Sequence, residues 1–400
     1  MNGTRKILSP ELGYIFIFFS ITFISASMES GYYFLLPYLE GRGIPLGALG
    51  GVAMGICYGI SFFIRPFVPF FEQRLGNDKM LLGGYACFFI SAAGIALFAK
   101  EIFSVIIWRG ITGLGLSMVG VSLTAYERQF IPENIRGRSI ALITTAYSLP
   151  SLIIVPAMEL LITKELYLCY IFFFPLLVAA GTAVIRKLPK IEERGTAAEA
   201  DDMPSISYIS LLRKPQISLF AVSAALFALT DAGQLTFVQL TGELGLTASY
   251  FFSVSAGTAL LFRILCGKLI DMLPRKICAS GATAITAAMM FIMTTASTAS
   301  SLMLYGFIFG IGMGFGYPAF MCLILDLGGK AYVTRLAVVF GLIYSGFFFL
   351  TPVIMEFFIN IMGSVALAYK VIYGSVFLAA AITVPVGAKV YRKTNNIQEW

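Results

Sequence analysis

The chain has 400 residues, 58% of them hydrophobic and 12% charged, with a net charge of +7. Soluble domains carry about 25% charged residues, and with a mean hydropathy of +0.86 a water-soluble fold is excluded. Apolar runs of about 20 residues, long enough to cross a bilayer as helices, recur throughout without the alternation of barrel strands. The expected fold is an all-α polytopic membrane protein.

Twelve spans are predicted, at 12–39, 46–71, 79–99, 102–126, 139–163, 166–186, 217–241, 248–272, 276–297, 301–325, 336–360 and 364–388. The first is too long, and too closely followed by the second, to be a cleaved signal peptide. It holds one charge between Leu12 and Leu39, at Glu29. Span two ends on Arg65-Pro66 and runs into the loop PFFEQRLGNDK, which carries Glu72, Arg74 and Gly76. Span four carries Arg109, Gly113 and Gly115. Span five carries Pro156 and Glu159, both near its outer end.

Residues 186–216 break the pattern, being polar and charged, with a short interfacial helix expected near 206–212. This linker divides the chain into a six-helix bundle at 1–185 and a second at 217–400. In span seven stands Asp231, followed by Gln234 and Gln239. Span eight holds Arg263 and leads into Gly267, Asp271, Arg275 and Lys276. Span ten has Gly310, Gly312, Gly314, Gly316 and Tyr317, with Asp326 at its inner end. Span eleven carries Pro352 and Glu356.

Orientation follows from the basic residues, which gather on the cytoplasmic side of membrane proteins. With the N-terminus inside, only Arg42, Lys100, Lys164 and Lys370 of the 28 fall outside, and Arg65, Arg109 and Arg263 lie within spans. Both termini are then cytoplasmic, in the plasma or inner membrane. The positive charge is accounted for by this bias, so no nucleic-acid partner is read from it. Histidine is absent and the six cysteines fall in spans without metal-site spacing. Neither a metal site nor a cofactor is expected, and proton chemistry must run on carboxylates.

The two halves repeat. Glu29-Ser30-Gly31 aligns with Asp231-Ala232-Gly233, and Gly43 with Gly245 at the same spacing. Arg65 aligns with Arg263, Gly113-Leu-Gly115 with Gly310-Ile-Gly312, and Pro156 with Pro352, at slowly drifting spacing. Six spans is an even number, so both copies insert in one orientation, a design found in transporters that rock one half against the other.

These residues resemble the major facilitator superfamily of secondary transporters. Gly267-Lys-Leu-Ile-Asp271-Met-Leu-Pro-Arg275-Lys276 is similar to that family's G-x-L-x-D-R-x-G-R-K loop. The first-half loop keeps Arg74 and Gly76, with Pro69, Gln73 and Asn77 where Gly, Asp and Arg stand in the family, and Glu72 as a substitute carboxylate. Arg109 with Gly113 and Gly115 resembles the R-x-x-x-G motif of span four. Arg65-Pro66 and Arg263 resemble the bacterial efflux-permease branches, whereas span five lacks the glycines of a marked antiporter. The resemblance implies that spans one, four, seven and ten line a central cavity.

A charge deep in a bilayer costs roughly 2.5–3.5 kcal/mol on insertion scales and almost always faces a cavity or a partner. Glu29 and Asp231 at matched places are therefore candidate proton-coupling residues, with Arg109 the natural partner of Glu29. The bland alternatives are a permanent Glu29–Arg109 pair, and an Asp231 merely held by Thr230 and Gln234. Tyr32, Tyr33, Tyr126, Gln234, Gln239 and Tyr317 are the expected cavity groups, suited to an amphipathic solute; the alternative for each is packing. Arg65, Glu72, Arg74, Gly76, Arg263, Gly267, Asp271, Arg275 and Lys276 are the expected gating-loop residues, with Asp326 beside them. Glu159 and Glu356 are expected to reach water.

The leading expectation is a monomeric, proton-coupled exporter of small organic molecules working by alternating access, with H⁺, solute and lipid as its partners. A proton-symport importer of a small metabolite is the alternative, and a transport-inactive sensor or scaffold is a rival of another class. An enzyme would need a nucleophile–base pair or metal ligands, which the sequence does not display. An ATP-driven pump would need a G-x-x-x-x-G-K-[ST] loop, which it also lacks.

Overall fold

The computed structural model describes residues 10–132, 135, 139, 142–188, 208–265 and 275–392, and no strand occurs among them. Helices are what a bilayer demands, since each backbone N–H and C=O must find its partner within the segment. Eleven helices among the described residues are long and apolar enough to cross: Leu12–Gly41, Gly47–Phe67, Asn77–Phe98, Ile102–Phe130, Leu142–Thr163, Tyr167–Ile185, Pro215–Glu243, Arg275–Thr295, Ala299–Ile324, Arg335–Met362 and Val365–Thr383. The shorter apolar helix Ala248–Ile264 stands where span eight is expected. The protein is a multi-pass helical membrane protein.

One difference concerns spans ten and eleven, which the sequence separates by a loop. The backbone is helical from Ala299 to Met362, 64 residues without interruption. A straight helix of that length would measure about 96 Å, some three times the hydrocarbon thickness, so it must hold two crossings. The connecting stretch LGGKAYVT has no proline to end the helix.

Contacts gather the chain into two units. The first comprises Met1–Pro45 and Ile60–Arg194; the second comprises Leu46–Gly59 and Gly195–Trp400. The short helix Tyr208–Leu212 lies where an interfacial helix is expected in the linker. Within the first unit, spans three and four meet closely: a Cβ on Gly115 would lie 2.7 Å from the Gly84 carbonyl. Ser91 and Thr112 share a hydrogen bond of 2.6 Å across the same contact.

The second unit repeats the arrangement and packs Phe220, Phe227, Phe320 and Phe340 into one core. A Cβ on Gly312 would meet Thr286 of span nine at 2.6 Å, and one on Gly314 would meet the Ala259 carbonyl of span eight at 3.1 Å. Spaced at i and i+4, Gly310 and Gly314 turn to span eight, while Gly312 faces span nine. The alternating glycines serve close helix approach.

The helix ends at Gly43 and Gly245 carry the duplication most plainly. Gly43 (φ 71°) and Gly245 (φ 66°) are both left-handed, and the next N–H reaches five residues back in each copy: Ile44 to Leu39 at 2.9 Å and Leu246 to Thr241 at 2.9 Å. This is a Schellman close, which favours glycine at that position. Spans five and eleven also end left-handed, on Glu165 (φ 55°) and Gly363 (φ 68°).

Glu356 departs from expectation. It is buried to 8%, and its Cβ lies 2.8 Å from where a Cβ on Gly51 would stand. The side chain is enclosed because Gly51, Gly55 and Gly59 of span two let that helix lie directly on span eleven. Glu159 is half-buried.

Candidate transport site

In the first unit the helix Pro10–Gly31 carries Glu29, half-buried, near its end. The chain then tightens into a 3-10 turn, Tyr32–Phe34, before resuming as Leu35–Gly41. Glu29 and Tyr32, three residues apart, share a face. Arg109 of span four is only 2% exposed, and its guanidinium carbon sits 4.5 Å from the Tyr32 ring centroid. The Tyr32 ring is also stacked on Phe174 of span six, at 4.0 Å and 6°. Cation and aromatic ring support each other in this way wherever water is excluded. Arg109 also acts electrostatically on Tyr170. Tyr33, next in the turn, is half-buried.

In the second unit the helix Pro215–Ala232 carries Asp231, and again a 3-10 turn follows, Gly233–Thr236. The Gln234 amide donates to the Asp231 carboxylate at 2.6 Å. Arg263 of span eight is electrostatically coupled to Asp231, Tyr317 and Tyr344. Tyr317 and Tyr344 meet edge to face at 5.8 Å. Gln234 is thus joined to Asp231, and Arg263 and Tyr317 lie within electrostatic reach of that pair.

Tyr344 and Tyr373 belong to this neighbourhood and were missed by sequence reasoning. Both are coupled to Asp231, and both hydroxyls are buried with no hydrogen-bond partner among the described residues. Tyr373 stands where Phe174 stands in the first copy, a correspondence seen only in how each ring meets its glycine. Tyr344 had no legible signal among 19 tyrosines.

Other expected residues lie elsewhere. Tyr126 is only 2% exposed, donates to Asp78 at 2.6 Å and stacks on Phe130 at 5.9 Å. It sits about 25 Å along the helix from Arg109 at 1.5 Å per residue, and ties spans three and four at the ends remote from that residue. Gln239 is half-buried on the far side of the 3-10 turn, its amide oxygen without a partner among the described residues.

Of the loop residues, Glu72 accepts from Asn77 at 2.9 Å, Arg74 lies over Phe70 at 4.2 Å, and Gly76 turns the chain with φ 77°. Arg65 opens the 3-10 turn Arg65–Phe67 that ends span two. Arg275 pairs with Asp326 at 2.6 Å, with Lys276 nearby. Gly267 and Asp271 lie outside the described residues. Partly exposed ion pairs contribute at most about 1 kcal/mol. Asp326→Asn is expected to leave the melting temperature within about 3 °C of wild type in a thermal scan.

Comparison with known proteins gives one family. The family model of the Major Facilitator Superfamily matches residues 18–340. No curated protein matches the chain significantly. Among solved structures, a POT family transporter in complex with a thioalcohol-conjugated peptide is similar over 95% of this chain and 96% of that one, with TM-score 0.75 and 12% identity. A POT family transporter in complex with 5-aminolevulinic acid gives TM-score 0.74, 12% identity and coverage of 95% and 96%. A mutant of a peptide transporter POT in complex with sulfate gives TM-score 0.73, 12% identity and coverage of 95% of each chain. At such identity the likeness is one of fold.

Proposed function

Because this chain belongs to the Major Facilitator Superfamily, a family of transporters, we propose that it is a proton-coupled secondary transporter that exports small amphipathic organic molecules by alternating access. The observation that carries this reading is the matched pair of acids, Glu29 and Asp231, each standing just before a 3-10 turn in an apolar span. A carboxylate in such surroundings is costly. It is retained where its charge can be exchanged.

The chemistry follows from environment. Burial favours the protonated acid, and a neighbouring cation favours the carboxylate. Glu29 exchanges the proton, with Arg109 stacked on Tyr32 tuning it. Asp231, held by Gln234 and facing Arg263, shares that work or receives a cationic group of the solute. Tyr317 and Tyr344 offer aromatic wall to the apolar part of the solute. The protein works as a monomer of two six-helix halves joined by the 186–216 linker, with both termini cytoplasmic.

The test is a solute screen in proteoliposomes under an imposed pH gradient, with Glu29→Gln and Asp231→Asn alongside. Accumulation of an amphipathic solute against its gradient as protons run the other way is the expected result, and Glu29→Gln should uncouple it. Solute and proton moving together would replace export by import. Binding without flux would make the protein a sensor.

A further inference from the structure

Both acid-bearing helices break at the same place, and both breaks are held the same way. In span one the Leu35 N–H turns to the Tyr32 carbonyl, three residues back. The Gly31 carbonyl, four residues back, loses its α-helical donor and keeps the tighter, poorer bond of the 3-10 turn. In span seven the Phe237 N–H likewise turns to Gln234, with the same consequence for the Gly233 carbonyl, which the Thr236 hydroxyl also reaches at 3.3 Å. In each copy a phenol adds a donor to that carbonyl from a neighbouring span: Tyr170 of span six donates to Gly31 O at 3.0 Å, and Tyr369 of span twelve donates to Gly233 O at 2.8 Å.

Backbone necessity explains only one of the two breaks. Pro37 has no N–H to give the Tyr33 carbonyl and crowds it, so span one must loosen there. Span seven has no proline after Pro215, yet breaks at the matched residue. The tyrosine is common to both; the proline is not. One turn beyond each tyrosine stands a second ring, Phe174 or Tyr373, pressed against the same glycine so closely that a Cβ there would collide. The second clamp is the stronger. The Tyr369 hydroxyl also shares a hydrogen bond with that of Thr236, at 2.9 Å; Phe34 holds the matching place in the first copy.

We propose that Tyr170 and Tyr369 are positioning residues for transport, each hydroxyl anchoring the helix break that fixes the height and facing of the acid two residues before it. The role in transport rests on the reading of Glu29 and Asp231 given above; the anchor itself does not. A 3-10 stretch within a helix commonly marks a hinge. Here the hinge is fastened to a neighbouring span by one bond that a methylene-scale movement would break.

The test uses full-length protein in nanodiscs with Tyr170→Phe, Tyr369→Phe and, as control, Tyr250→Phe, an exposed tyrosine of span eight outside both clamps. Each substitution keeps the ring. Hydrogen exchange should quicken about tenfold in residues 30–38 for Tyr170→Phe and in 232–240 for Tyr369→Phe, each leaving the other segment unchanged. The control should change neither. With the solute found by the screen, maximal flux per folded protein should fall about tenfold, while half-saturation stays within about twofold. Normal flux with unchanged exchange overturns the anchor. Faster exchange spread evenly along spans six and twelve overturns it too, since that is general loosening. A local exchange response with flux unaltered removes the role in transport. A local response in a wild-type protein that moves no solute sinks the transporter reading and leaves the anchor standing.

Discussion

Gly55→Leu should lower the melting temperature by on the order of 5 °C, the counterpart of about 1–3 kcal/mol of overpacking. Gly51, Gly55 and Gly59 recur every fourth residue and so line one face of span two. A Cβ on Gly55 would lie 2.6 Å from the Phe349 carbonyl oxygen, 3.1 Å from its Cα and 3.0 Å from Pro352 Cγ. Two of those atoms are backbone and cannot rotate aside. The neighbour at Gly51 is again a carbonyl, that of Pro352. The helices must part, and Glu356 loses the wall that encloses it. Gly120→Ala is the control, because nothing stands within 4 Å of its absent side chain. Calorimetry of both variants in nanodiscs decides the matter. If Gly55→Leu melts with wild type, spans two and eleven do not touch.

Arg109→Ala should reduce solute flux about a hundredfold or more, the scale on which small misplacement of reacting groups acts. The guanidinium is among the most enclosed large side chains of the protein. Its removal strips the Tyr32 ring of its cation, a contact worth up to about 2 kcal/mol where desolvated, and leaves a void beside Glu29's turn. Arg109→Lys separates two causes. Lysine restores the charge but not the flat, stackable group, so flux should recover only in part. Full recovery would mean that charge alone matters, and an Arg109→Ala protein that transports normally would remove this residue from the site. Both variants are compared by vesicle flux at equal amounts of folded protein.

Much of this was written in the residues. Apolar runs of bilayer length fixed the helical class, because lipid leaves a chain no other open-ended solution. The charges Glu29, Asp231 and Arg109 stood out because insertion penalises them, and Arg109 is buried as that logic requires. The Gly43–Gly245 match proved to be a shared Schellman close, a backbone demand that glycine meets at least cost. Other features left no readable trace. Tyr126 satisfied every composition rule for a cavity residue, and none of those rules shows its hydrogen bond to Asp78. Arg263 was expected to serve the gating loop; its electrostatic reach to Asp231 depends on how span eight lies against span seven, which no periodicity encodes. The tyrosine clamps were hidden for the same reason. A hydroxyl's partner 136 or 139 residues away is a product of tertiary packing.

The ends of spans five and eleven hold a last consequence. Both close on a left-handed residue, a glycine at 363 but a glutamate at 165. A side chain in that conformation costs roughly 1–2 kcal/mol that glycine avoids, so the two copies of one ancestral unit are no longer equally relaxed. The tension lies at the rim, far along the chain from either acid. The two halves thus differ in strain at this corner while the turns beside Glu29 and Asp231 stay alike, so the matched geometry is kept where the acids stand.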